Sequence, residues 1–220
     1  MMSSVLTLGD APHIRVRSLQ EEGTLLLVVV EANLKNPASF HGGILDAVVD
    51  DATERMHRPI GLGTAHEYAR ALADAIMADE ERWRTIGAVF FAAVALRKNV
   101  AEVCTAGDLR VHLIHDRVAR QVTRDHNVVS DDDDGLYTSS GSGRSDLGTD
   151  FLVHVPTRAI PSGQGKSVEC VNWVVPEGGG ILICSSRLHQ YRAPETYVAT
   201  AFDASRIPPL ALSAIVEVHS

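Results

Sequence analysis

Asp131, Asp132, Asp133 and Asp134 stand side by side, and such a run of carboxylates attracts divalent cations. It lies in Ser130–Asp150, a stretch of Asp, Ser and Gly with too little apolar surface to offset the entropy of ordering it. The stretch reads as a flexible solvated loop, where like charges make a weak, unselective site. Gly163-Gln164-Gly165-Lys166-Ser167 is similar to the end of a phosphate-cradling loop. That motif needs a glycine where this chain has Ile160, and a helix after Ser167 where Val168–Val175 reads as a strand. His112 and His115 have the spacing of a helical metal pair, but they lie on and just after a strand, so their side chains diverge. Ser185 and Ser186 follow Gly178–Gly180 without the pattern of a nucleophile elbow. Cys104, Cys170 and Cys184 form no Cys-x-x-Cys pair for zinc, and their apolar settings make buried reduced thiols the expectation. The segment with most internal order is Ala106–Val128, AGDLRVHLIHDRVARQVTRDHNV, in which turns at Gly107-Asp108 and His115-Asp116 separate short strand-like runs.

The elements around these residues follow from hydrophobic period. His13–Ser18 alternates like a half-exposed strand, and Leu25–Val30 is a continuous apolar run expected to be buried on both faces. Ile44–Met56 and Ala65–Trp83 have helical period and are joined by a loop containing Pro59, Gly61 and Gly63. Gly87–Leu96, Val100–Ala106, Arg110–Ile114 and Arg117–Val122 then read as an antiparallel meander. Further strands are expected at Phe151–Val155, Glu169–Val175, Ile181–Cys184 and Leu210–Val218, with a helix near Pro194–Phe202. This order suits an α+β layered sandwich as one domain over residues 1–220, with the flexible loop at 130–150. A net charge of -8 argues against a nucleic-acid partner. No apolar run approaches membrane-spanning length, and the first residues lack the pattern of a secretory signal, so a cytoplasmic protein away from membranes is expected. Oligomeric state has no signal in the sequence.

Ala106–Val128 closely resembles the central stretch of the metal-dependent, protein phosphatase 2C-type family. There one strand ends in Gly-Asp-Ser-Arg and a later one in Leu-Thr-x-Asp-His. Gly107, Asp108 and Arg110 keep the first signature, with Leu109 in place of Ser; Thr123, Asp125 and His126 keep the second at the right separation. Val16–Gly23 resembles the family's opening Arg-x-x-Asn-Glu-Asp, Thr157–Ile160 its Thr-Arg-Ala-Leu, and Ile181–His189 a strand ending Leu-Cys-Ser-Asp-Gly-Leu. The resemblance implies a four-layer α-β-β-α sandwich with two antiparallel sheets.

It also implies hydrolysis of phosphoserine and phosphothreonine with two Mn²⁺ or Mg²⁺ ions, which bind and activate the attacking water. Carried over position by position, Arg17 falls on the phosphate-binding arginine, and Glu21, Glu22 and Glu31 fall on metal-binding carboxylates. Asp108 falls on a peripheral third-metal position. The family's later carboxylates fall on Ser186, next to Arg187, and on Leu210 and Ala211, none of which is acidic. A bolder reading has Arg187 fill the vacated metal position and pair with Glu31 or Glu21, stabilising a metal-free fold. The expectation is a pseudophosphatase: a degenerate member without a resident cofactor, engaging a kinase or phosphoprotein in phosphorylation-dependent signalling. The alternatives are a divergent serine/threonine phosphatase with an altered Mn²⁺ or Mg²⁺ site, and a structural subunit that recognises partners elsewhere.

Overall fold

The structure, a computed structural model, describes residues 2–8, 13–21, 23–35, 42–56, 63–116, 118–126, 158–161, 168–185 and 213–219. The strands β2 (Ile14–Glu21), β3 (Thr24–Leu34), β4 (Gly87–Arg97), β5 (Val100–Ala106) and β8 (Glu169–Val174) form one antiparallel sheet in the order β2-β3-β4-β5-β8. The other sheet has the order β1-β10-β9-β6-β7. Its strands are β1 (Met2–Leu8), β6 (Arg110–His115), β7 (Val118–Gln121), β9 (Gly180–Cys184) and β10 (Ser213–His219). The helices α1 (Gly43–Met56), α2 (Ala65–Met77) and α3 (Glu80–Ile86) cover the outer face of the first sheet.

β3 shows why the two sheets stack. Its even residues Leu26, Val28, Val30 and Ala32 pack against the helices, while Leu25, Leu27 and Val29 face the second sheet. A strand buried on both faces must read as unbroken apolar sequence, and this one does. The inter-sheet core adds Phe90, Val94, Val103, Leu109, Val111, Ile181 and Ile183.

Three elements differ from expectation. The single helix over Ala65–Trp83 is two helices, broken at Ala78 and Asp79, where Asp79 takes φ -128° and ψ 49°. Thr64 and Glu67 start α2 with a reciprocal capping box, but no basic residue lies in its last turn. Asp79, Glu80 and Glu81 would oppose the dipole at the end of a continuing helix; as the start of α3, Glu80 and Glu81 favour it instead. The meander is split, because the chain leaves the first sheet after β5 and enters the second at β6. Gly107 makes that crossing at φ +86°, packed so closely on Phe90 that an added Cβ would lie 2.2 Å from the ring. β1 has no counterpart in the sequence reading, and it pairs with β10 from Met2↔His219 to Leu8↔Ser213.

The thiol expectation is corrected at two positions. Cys104 and Cys170 lie directly opposite each other on β5 and β8, with Cα atoms 4.1 Å apart, and are joined by a disulfide. Cys184 is a buried thiol outside this disulfide. The acidic loop at 130–150, the strand expected at Phe151–Val155 and the helix expected near Pro194–Phe202 lie outside the described residues. No described helix is long and apolar enough to cross a membrane.

Candidate functional site

Strand register collects one end of the sandwich. Ile14 pairs with Glu31, Glu31 with Phe90, Phe91 with Ala106, and Thr105 with Glu169 across the first sheet. In the second sheet, Arg110 pairs with Cys184 at the same end, one crossing turn after Ala106. Glu31, Asp108, Arg110, Glu169 and Ser185 therefore belong to one rim, although they are spread over more than 150 residues of chain.

The two sequence signatures meet there. The β6–β7 hairpin pairs His112 with Gln121, which returns the chain past the start of β6. Arg110 donates twice to Asp125, from Nε to Oδ1 at 2.8 Å and from Nη2 to Oδ2 at 2.5 Å. Gln121 donates to Asp125 Oδ1 at 2.7 Å and to the Thr123 carbonyl at 2.9 Å, while Thr123 Oγ1 accepts from the Val111 amide at 3.1 Å. A bidentate guanidinium–carboxylate pair, less than one-fifth exposed on both sides, is a strong positional lock. Fully buried His126 pairs through Nε2 with Glu169 Oε2 at 2.8 Å, and Arg158 reaches the same oxygen at 3.4 Å. Through Glu169, the signature from the second sheet is tied to strand β8 of the first.

Glu31 and Asp108, both nearly fully buried, are at this rim. Arg17 and Glu21 are not. Arg17 pairs across the strands with Val28, whose side chain faces the helices, whereas Glu31 has the opposite parity and faces the other sheet. The Arg17 guanidinium is bonded to Asp50 on α1, as Arg15 is to Asp46 at 2.5 Å. Glu21 pairs with Thr24 at the far hairpin, seven residues of β3 and roughly 20 Å from Glu31. It cannot share a metal with Glu31. The residues beside Glu31 are instead Ile14 and His13, whose carbonyl accepts from the Ala32 amide at 2.8 Å. Glu22, Ser186, Arg187, Leu210 and Ala211 lie outside the described residues, as does any Arg187 contact.

Sequence reasoning missed Glu169 and gave Arg158 no role. Glu169 is an ordinary acidic residue opening a strand, and only the β5–β8 register reveals that it accepts from His126 and Arg158. His112 is a further buried group, with its pKa pushed down to about 4, first by burial and then by Arg110, while Asp125 acts the other way. The folded state thus keeps His112 neutral while the unfolded chain protonates near pH 6.5. The contribution of this difference is intact above about pH 6.5 and is lost as pH falls toward 4, up to about 3 kcal/mol. Urea denaturation at pH 7 and pH 4.5 checks this: the wild type loses about 2 kcal/mol more on acidification than His112→Gln.

Hard divalent cations need several oxygen ligands. Among the described residues, the rim's carboxylates are those of Glu31, Asp108, Asp125 and Glu169, with Asp125 held by Arg110 and Glu169 by His126 and Arg158, and with His13 and Ile14 beside Glu31. The described residues alone do not make up the donor set of a two-metal centre.

Comparison of folds identifies the architecture. The chain has the fold of the protein phosphatase 2C-type serine/threonine phosphatases: two antiparallel sheets, matched over its whole length. Among solved structures it is similar to the catalytic domain of the serine/threonine phosphatase PstP in complex with two manganese ions, with TM-score 0.68, 18% identity, and coverage of 100% of this chain and 98% of that one. It is similar to the serine/threonine phosphatase of S. agalactiae, with TM-score 0.68, 14% identity, and coverage of 99% and 98%. A third is PppA of Pseudomonas aeruginosa, described as a key regulatory component of T6SS, with TM-score 0.64, 17% identity, and coverage of 99% and 97%. No family model matches the sequence, and no curated protein matches it.

Proposed function

We propose that this chain is a catalytically impaired phosphatase-fold protein, a pseudophosphatase that acts as a regulatory or binding module in phosphorylation-dependent signalling. The observation that carries this reading is the separation of Glu21 and Arg17 from Glu31, by register and by strand face respectively. A carboxylate at the wrong end of a strand cannot complete a dinuclear site, and an arginine bonded to Asp50 on the helical layer does not face the rim. The absence of acidic residues at positions 186, 187, 210 and 211 supports the same reading. What persists is the scaffold around the rim, locked by Arg110–Asp125 and His126–Glu169. A scaffold kept without its catalytic donors suits recognition of a protein partner, and a kinase or a phosphoprotein is the class proposed.

Calorimetry with Mn²⁺ tests the metal half of this reading. The expected result is no saturable binding up to millimolar Mn²⁺. Two sites filling in the micromolar range would contradict it. A divergent serine/threonine phosphatase with an altered Mn²⁺ or Mg²⁺ site is the second reading, favoured by the fold and by Glu31 and Asp108 at the rim.

A further inference from the structure

The helix-facing side of the β5–β8 edge holds a group of a different kind. Cys104 and Cys170 are bridged there, and His66, near the start of α2, places Nδ1 3.4 Å from Cys170 Sγ. The three side chains lie within 4.8 Å of one another, with Cys104 buried and with Cys170 and His66 exposed. The start of α2 is held over the pair because the Ala65 amide donates to Glu102 Oε2 on β5 at 2.9 Å. Among the described strands β8 is a sheet edge, with β5 as its partner.

We infer that Cys104, Cys170 and His66 form a thiol–disulfide exchange site that takes low-molecular-weight thiols and disulfides, of the glutathione class. The asymmetry of exposure sets the direction of attack. An external thiolate reaches the exposed Cys170 sulfur, forms a mixed disulfide there, and expels the Cys104 thiolate, which takes a proton. A second thiolate attacks the sulfur of the bound thiol, releasing the small disulfide and the Cys170 thiolate, beside which His66 is placed to donate a hydrogen bond. In sum, two thiols are oxidised to one disulfide and the protein disulfide is reduced to two thiols. Oxidation by glutathione disulfide runs the same steps backwards.

Exchange here reaches the rim along one strand. Glu169, which holds His126 and Arg158, is adjacent to Cys170 on β8. The bridge fastens the start of β8 to β5, and reduction leaves backbone pairing and side-chain contacts to hold it. The redox state of the pair thus sets how firmly Glu169 is presented to the rim.

The test uses the full chain equilibrated in glutathione buffers of varied ratio, quenched by alkylation and read by mass. The expected result is a reversible two-thiol conversion, with one linked peptide containing Cys104 and Cys170, while buried Cys184 stays out of the bridge. Amide hydrogen exchange across Glu169–Val174 should speed up at least several-fold on reduction. His66→Ala should slow bridge formation several-fold at pH 7 without changing the peptide formed. Cys170→Ser, at the exposed position, guards against a folding defect and should abolish the conversion. A bridge that no thiol buffer opens in the folded chain would overturn the proposal. So would independent alkylation of both cysteines at every ratio, or β8 exchange that is the same in both states.

Discussion

Gly107→Ala is expected to destabilise the protein by about 3 kcal/mol or more, enough to unfold a domain of ordinary stability. Two costs coincide at this residue. Its φ of +86° lies where an L side chain is strained, and its Cβ would sit 2.2 to 2.8 Å from the ring and Cβ of Phe90. Phe90 cannot move aside easily, because it is 2% exposed in the inter-sheet core. Gly23→Ala is the control. Gly23 has φ +77° but nothing within 4 Å of an added Cβ, so it incurs the conformational cost alone, about 1 kcal/mol. Urea midpoints for the two variants separate packing from backbone strain, and equal losses would contradict the crossing geometry.

Asp125→Ala is expected to cost about 3 kcal/mol, because it leaves the Arg110 guanidinium in a largely buried position without its bidentate acceptor. Gln121 also loses an acceptor, which adds to the penalty. Arg110→Ala should cost a similar amount, and the double variant much less than the sum, since each single change already breaks the same pair. Additive losses in the urea midpoints would show that the two residues are not coupled. The effect should also appear at His126, because Asp125 precedes it directly and fixes its approach to Glu169.

The strands were legible where burial was simplest. Leu25–Val30 reads as a doubly buried strand from composition alone, and β2, β4, β5 and β9 follow the period and turn signals. The Gly107–His126 signature was legible for a physical reason: a hairpin of set length is what brings Arg110 back to Asp125. Pairings between distant segments were not legible. β1 meets β10 across nearly the whole chain, and Cys104 meets Cys170 across 66 residues, with no local residue announcing either partner. Arg17 and Glu21 show a subtler failure. They stand in the expected order along the sequence, but strand parity turns Arg17 to the helices, and hairpin register carries Glu21 to the far end. Order along a chain does not specify a face or a register; those are set by which apolar set the sheet must bury.

The most direct measurement of the central claim is hydrolysis of p-nitrophenyl phosphate by the full chain with millimolar Mn²⁺, beside Glu31→Ala. Glu31 is the acidic position retained at the rim on β3, so any surviving metal chemistry should depend on it. Turnover indistinguishable from buffer, with or without Mn²⁺ and unchanged by Glu31→Ala, is the predicted result. Turnover that rises with Mn²⁺ and disappears in Glu31→Ala would contradict it and establish a working phosphatase.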